Sequence, residues 1–404
     1  MGPDTLPYMP EGIGANRAPA ARVSLILVSH SYPPVLGGSE IEAQRVCAAL
    51  IRRGHRVTVL CAGGEPMPDT ARWTDPAGVP VRIFARRSRG RFRDWAFAFG
   101  VAWTLFRERR NYQLVYFLMQ GAHLALGLPV AQWLGKPIVM KISGSGIATT
   151  MRGSWLGRLE LRWLDKWARR VMILNSGIAA EAVAAGLDSQ RLLWMPNPID
   201  TGEFVPCSPD ARQGLRERFG IPACATVVIY VGRLAPEKEL SSLLGAFAAV
   251  VRRLPNALLI LIGDGPSRQE LEIRADQLGL TGRVRFAGRQ PVSDICHWLQ
   301  ASDLFALVSS NEGFPCSLSE AMAAGLASVV TDIPGNTQLI DPGVHGLVVP
   351  VGDEARIAEA IAGLLADSES RARMGTAARR RVLDNYSTDK LVGRYEALFE
   401  EALN

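Results

Sequence analysis

At 404 residues, 48% apolar and 21% charged, the chain is longer than one hydrophobic core usually organises and ordinary in composition for a globular protein. Its 45 basic and 39 acidic side chains leave a net charge of +6, too little to argue for nucleic acid without a recognised binding module. Six scattered cysteines with no CxxC pair speak against a zinc site and for a reducing, cytoplasmic compartment.

Residues 1–21 are rich in Pro, Gly and Ala and lack an apolar signal core, so they read as a disordered leader. From residue 23 onward, short runs of Val, Ile and Leu alternate with helical patterns. The first series is VSLILVS (23–29), RVTVLC (56–61), QLVYFLM (113–119), PIVMKIS (137–143) and VMILNS (171–176). The second is TVVIYVG (226–232), ALLILIG (257–263), RVRFAG (283–288), LFALVSS (304–310) and SVVTD (328–332). Runs apolar on both faces suit central parallel strands, and their alternation with helices means βαβ units.

One helix shows its apolar stripe at Ala43, Val46, Cys47 and Leu50 and stops at Gly54, a C-terminal cap. The uncharged stretch 111–135 is interrupted by Gln113, Gln120, His123, Pro129 and Gln132, so it reads as strand, loop and short helix rather than a membrane span. The expected architecture is α/β, with two Rossmann-like doubly wound domains at 22–196 and 211–385, a Pro-rich linker at 197–210 and a C-terminal helix within 386–404. Ligands bind such folds at the carboxyl ends of the sheets.

Two segments carry the chemistry. In VGRLAPEKEL (231–240), Arg233 and Lys238 follow a strand and precede a helix, an arrangement that can cradle an anion. The alternative is a solvated loop in which they pair with Glu237 or Glu239. In SSNEGFPCSLSEAMAAG (309–325), Glu312 precedes a Gly turn and Glu320 rides on the helix that follows. Both carboxylates can accept hydrogen bonds from sugar hydroxyls. Ser317-x-x-Glu320 is also a capping box, in which Glu320 would only satisfy the helix N-terminus.

In order and spacing, G-R-x3-E-K followed by E-G-F-P-x4-E-A-M-A-x-G resembles the second-domain signature of the family-4 retaining glycosyltransferases of GT-B fold. The loop GGSE (37–40), the turn PNPID (196–200), GDGP (263–266) and TDIPGN (331–336) resemble further loops of that family. The resemblance implies that Arg233 and Lys238 neutralise the diphosphate of a nucleotide-sugar donor. It implies that Glu320 holds the ribose hydroxyls and that Glu312 contacts the transferred sugar. Backbone amides around Gly313, Phe314 and Leu318 complete the donor site, and Gly37 and Gly38 let the first domain's backbone come close. Catalysis is thus assigned to Glu312, Arg233 and Lys238, with a glycan or lipid-linked acceptor and retention of configuration.

A departing nucleoside diphosphate needs fixed positive charge. The sequence has no Asp-x-Asp pair to hold a metal, so no cofactor is expected and the two cations take that role. Three positions depart from the family pattern: Ser143-Gly144 stands where a His-Gly turn is common, Gln338 replaces a glutamate, and Pro198 a glycine. An epimerase of the same fold and a non-catalytic nucleotide-sugar binding protein are the competing readings. Gly144-Ser145-Gly146-x-x-Thr149 imitates a dinucleotide fingerprint with its third glycine missing.

Residues 82–110 hold nine arginines against Asp94 and Glu108, interleaved with Phe92, Trp95, Phe97, Phe99, Trp103 and Phe106. Such a mixture suits an anionic membrane surface, here the inner face of the cell membrane. The alternative is a core-facing helix over 95–106 flanked by solvated arginines.

Overall fold

The computed structural model describes residues 22–404 except 35–36, 64–66, 69, 85–89 and 119, and without the side chain of Arg91. The leader expected at 1–21 lies outside the described residues. Two compact units emerge: one takes the chain up to Pro198 together with Thr388–Asn404, the other Ile199–Ser387.

The first unit begins with β1 Ser24–Ser29, α1 Gly38–Arg52, β2 Arg56–Ala62, β3 Arg72–Thr74, β4 Pro80–Phe84 and α2 Gly90–Arg107. It continues with β5 Leu114–Leu118, α3 His123–Trp133, β6 Ile138–Ile142, α4 Ile147–Arg152 and α5 Trp155–Trp167. β7 Ala168–Ile173, α6 Ser176–Ala184 and β8 Leu192–Trp194 complete this stretch. The sheet order is β3-β4-β2-β1-β5-β6-β7-β8, parallel except where β3 meets β4. β5 and β6 are buried at every position, which is why their sequences are apolar without alternation. α1 ends where Gly54 adopts φ +91°, a conformation that costs glycine nothing.

The second unit contains α7 Pro209–Arg218, β9 Thr226–Val231, α8 Leu240–Arg253, β10 Ala257–Ile262, α9 Arg268–Gln277, β11 Val284–Gly288 and α10 Val292–Gln300. After β12 Leu304–Leu307 follow α11 Cys316–Ala323, β13 Ser328–Thr331, α12 Pro334–Thr337, β14 Gly346–Val349, α13 Glu354–Ala366 and α14 Ser368–Asn385. Its sheet is wholly parallel in the order β11-β10-β9-β12-β13-β14. Chain direction through the sheet reverses between β9 and β12, as it does between β1 and β5 in the first unit, and such switch points open a crevice at the strands' carboxyl ends.

α15 Thr388–Leu403 belongs to the first unit. Tyr395 and Phe399 pack their rings against Tyr116 of β5 at centroid distances of 6.3 and 6.2 Å. Beside them Lys141 of β6 is wholly buried and ion-paired with Glu42 of α1. Its Nζ also donates to Asn197 Oδ1 at 2.9 Å and to Tyr395 Oη at 3.2 Å. Burial, then the Glu42 carboxylate, holds the hydroxyls of Tyr116 and Tyr395 well above their usual range.

The segment 197–210 is more than a tether. Ile199 bridges to Ser387, Phe204 is buried, and Arg379 of α14 donates to the Phe204 carbonyl at 3.0 Å. Two apolar anchors thus fold residues 199–208 into the second unit, and α7 starts at Pro209 with Ser208 as its cap. Among the described residues no helix is long and apolar enough to cross a membrane; the uncharged stretch after Asn111 is β5 followed by an eleven-residue helix containing Pro129.

Candidate functional site

The two chemistry-bearing segments are the loops leaving β9 and β12. These strands pair directly, Val228 with Leu304 and Ile229 with Phe305, so both loops rise from neighbouring strand ends at the switch point of the second unit. After β9 the chain passes Gly232 and Arg233, makes a 3₁₀ turn at Pro236–Lys238 and starts α8 through Glu239 at φ +51°. Among the described residues Glu239 is the only non-glycine with positive φ, a strained link that fixes where Lys238 points. Ser310 stitches the loops together, donating from its amide to the Glu237 carbonyl at 3.0 Å and from its hydroxyl at 3.2 Å.

Lys238 Nζ lies 2.6 Å from Glu312 Oε1, and the Ser309 hydroxyl donates to the same oxygen at 2.7 Å. Both charged side chains are largely sheltered. Arg233 is exposed and pairs with Glu237 at 2.5 Å. The solvated-loop alternative therefore holds for Arg233, whereas Lys238 finds its partner on the other loop. Burial raises Glu237, but backbone donors and the charges of Arg233 and Lys238 outweigh it and leave the carboxyl below its usual range. Burial, then the Glu312 and Glu237 carboxylates, pushes the Tyr230 hydroxyl far up. That hydroxyl donates to the Arg233 carbonyl at 2.9 Å and props the loop.

The GDGP turn after β10 packs on this loop so closely that a Cβ on Gly263 would sit 1.9 Å from the Gly232 carbonyl oxygen, and Gly263 has φ +129° besides. Leu234 donates its amide to the Asp264 carbonyl at 3.1 Å. From the other side, a Cβ on Gly335 would meet the Glu312 carbonyl oxygen at 2.4 Å, so the turn at α12 buttresses Glu312. Asn336 Nδ2 donates to the Thr331 carbonyl at 3.0 Å and anchors that turn to β13.

α11 starts at Cys316 with Pro315 in the capping position and no side-chain cap. Ser317 is therefore inside the helix, and the capping box does not form. Glu320 is buried within α11. Phe314 packs on Tyr386 at 5.9 Å and Leu318 is fully buried, so these two residues can serve a ligand only through their backbone. Gly313 joins Glu312 to Phe314, and the helix N-terminus beyond it presents backbone donors suited to an anion.

In the first unit Gly37 is the extended N-cap of α1 and Gly38 its first residue, at the carboxyl end of β1 beside the switch point with β5. Glu40 accepts a 2.5 Å bond from the Ser31 hydroxyl, and a Cβ on Gly37 would strike Glu40 Oε2 at 2.2 Å. The dinucleotide-like stretch is a different object: the Gly146 amide donates to Glu181 Oε2 at 2.6 Å, so an acid of this chain takes the position a phosphate would need. Sequence reasoning passed over Ser309, Ser310, Tyr230 and Asn336. Only Ser309, three residues before Glu312, carried a spacing signal.

Comparisons with known proteins bear on the family and the fold. Residues 212–381 match the glycosyl transferases group 1 family and residues 36–203 match glycosyltransferase family 4. The chain is 31% identical over 375 residues to N-acetyl-alpha-D-glucosaminyl L-malate synthase of Bacillus anthracis, covering 92% of this chain and 96% of that one. It is 29% identical over 395 residues to a GDP-mannose-dependent alpha-mannosyltransferase of Mycobacterium tuberculosis (strain CDC 1551 / Oshkosh), 93% and 97% of the two chains. The structure of Anabaena Alr3699/HepE in complex with UDP and glucose superposes with a TM-score of 0.78 at 22% identity, over 94% of this chain and 100% of that one. The chain belongs to the family-4 glycosyltransferases and has the GT-B fold.

Proposed function

We propose that this glycosyltransferase moves a hexose from a UDP- or GDP-sugar to a glycan or lipid-linked acceptor, with retention and without a metal. Its place is the cytoplasmic side of a membrane, in cell-surface polysaccharide or glycolipid synthesis. Relatives support the substrate classes: one is named a GDP-mannose-dependent alpha-(1-6)-phosphatidylinositol monomannoside mannosyltransferase, at 30% identity.

The carrying observation is the Lys238–Glu312 pair at the switch point, with Arg233 on the same loop. Breaking the anomeric bond places extra negative charge on the leaving diphosphate, and a fixed cation aimed there lowers the barrier. A diphosphate competes with Glu312 for Lys238. Donor binding thus releases the carboxylate to accept from a sugar hydroxyl while the lysine meets the phosphates. Arg233, in an exposed pair with Glu237, adds a second charge, and Glu320 holds the ribose.

A thermal-shift panel of nucleoside diphosphates and nucleotide sugars identifies the donor, since a ligand at a hundred times its Kd adds about 2.7 kcal/mol. UDP or GDP released only when an acceptor is supplied supports transfer. Conversion of the sugar alone indicates an epimerase, and binding without turnover a sensor.

A further inference from the structure

α2 is apolar on two opposite faces. Phe97, Ala98, Val101 and Leu105 are fully buried against the unit. Phe92, Trp95, Phe99, Trp103 and Phe106 are exposed and recur every three or four residues. At about 100° per residue they fall within an arc of about 80°, along about 21 Å of helix. Trp133, at the end of α3, is 73% exposed and stacks on Phe106 at 5.9 Å, extending the stripe onto a second helix. The unit covers only one of the two apolar faces, and soluble surfaces rarely carry six large aromatic side chains in one row.

The charges around the stripe say what covers it. Arg107, Arg109 and Arg110 are exposed at its C-terminal end, with the Arg109 guanidinium 4.8 Å above the Phe106 ring. The two acids nearby are already engaged: Asp94 with His30 at 2.9 Å, and Glu108 with Arg82. Arg82 therefore serves the fold, and Arg87 and Arg89 lie outside the described residues, as does the Arg91 side chain. At the other end Arg93 is half-buried. Pairing two copies side by side in the same direction through this face would set Arg107, Arg109 and Arg110 against their own copies, with Glu108 already engaged by Arg82. An exposed aromatic row ending in a cluster of exposed arginines fits a partner that is apolar and anionic at once.

We propose that α2 and Trp133 form a docking face for an anionic lipid bilayer, the aromatic rings lying at headgroup depth and Arg107, Arg109 and Arg110 meeting phosphates. The proposal goes beyond glycosyl transfer and does not depend on it. The N-terminal end of α2 is tied by Asp94 to His30, which follows β1, so the docking face reaches the switch-point end of the first unit.

The test is co-sedimentation of the full chain with phosphatidylcholine vesicles, with and without phosphatidylglycerol. Binding is expected to the anionic vesicles at low salt and to fall as salt shortens the screening length to about 8–10 Å. Phe99→Ser with Trp103→Ser, and separately Arg107→Glu, Arg109→Glu and Arg110→Glu together, should each weaken binding about a hundredfold, the product of a few such contacts. All changed side chains are exposed, so melting temperature and turnover on a soluble acceptor analogue should stay as in the parent. Those two readouts separate failure of the docking face from failure of the transferase reading. No binding at low salt, equal binding to neutral vesicles, or unchanged binding by both variants would overturn the proposal. So would a dimer in solution that the serine variant dissolves.

Discussion

Lys238 and Glu312 stand 74 residues apart in sequence, yet their charged atoms lie 2.6 Å apart because β9 and β12 are neighbours in the sheet. Each neutralises the other, so removing the charge of one changes what the other offers a substrate. Glu312→Gln should slow sugar transfer and, with Lys238 no longer shared, bind free nucleoside diphosphate about tenfold more tightly. Titration calorimetry beside turnover measurement checks the opposed signs; affinity and rate falling together would refute the exchange.

The two cations should differ in what else they do. Arg233→Ala and Lys238→Ala should each cut turnover by roughly two to three decades, the scale of losing one oriented charge. Lys238→Ala leaves Glu312 sheltered with Ser309 as a remaining donor, so it should also lower stability by about 1–3 kcal/mol. Arg233 is 66% exposed and its removal should leave the melting temperature unchanged. Near-parental turnover in both variants would remove the diphosphate assignment.

Because Ser317 lies inside α11 and caps nothing, Ser317→Ala should change stability by less than about 0.5 kcal/mol. Glu320→Gln should weaken nucleotide affinity about tenfold if this carboxylate holds the ribose hydroxyls. Thermal unfolding and nucleotide titration read the two effects separately. Unchanged affinity in the glutamine variant would return Glu320 to a structural role.

Glu160 on α5 has an oxygen with no hydrogen-bond partner, and burial pushes its carboxyl up from 4.5 to about 7. The folded state therefore binds a proton that the unfolded chain releases. This contribution is fully present below about pH 4.5 and is lost as pH rises through about 7. Allowing for partial solvent screening, Glu160→Gln should gain about 2 kcal/mol relative to the parent between pH 5 and pH 8. Denaturant midpoints across that range would show parallel curves if the carboxyl were ordinary.

No group of three His, Cys, Asp or Glu side chains converges to hold a metal among the described residues, and two cations occupy the site. Turnover should survive excess EDTA. Activity lost to the chelator and restored by Mn²⁺ would assign the charge role to a metal instead.

Much of this was readable before any coordinates. Central strands such as β1, β5, β9 and β10 announce themselves because burial on both faces demands unbroken apolar runs. β3, β8 and β14 escape because edge strands are short and half-solvated, and β4, PVRIF, escapes because it lies beside the edge strand β3 and carries an arginine in its middle. Arg233, Lys238, Glu312 and Glu320 stand out by residue type and spacing. Their partners do not, since pairing across the sheet depends on strand order, which local sequence does not encode. The lysine of PIVMKIS reads as a blemish in a strand until Glu42, Asn197 and Tyr395 are seen around it.

That cluster has a consequence for how the protein is born. Tyr395 and Phe399 supply part of the first unit's interior, but they leave the ribosome only after the whole of the second unit. The second unit is one continuous stretch, Ile199–Ser387, and can mature while the earlier residues still wait for α15. During synthesis the N-terminal sheet thus holds Lys141 without its Tyr395 hydroxyl and leaves the ring of Tyr116 uncovered, a stage at which chaperones have something to grip. Limited proteolysis of ribosome-stalled chains should find the second unit resistant and the first still cleavable until α15 emerges; early resistance of both would show that the N-terminal sheet closes without it.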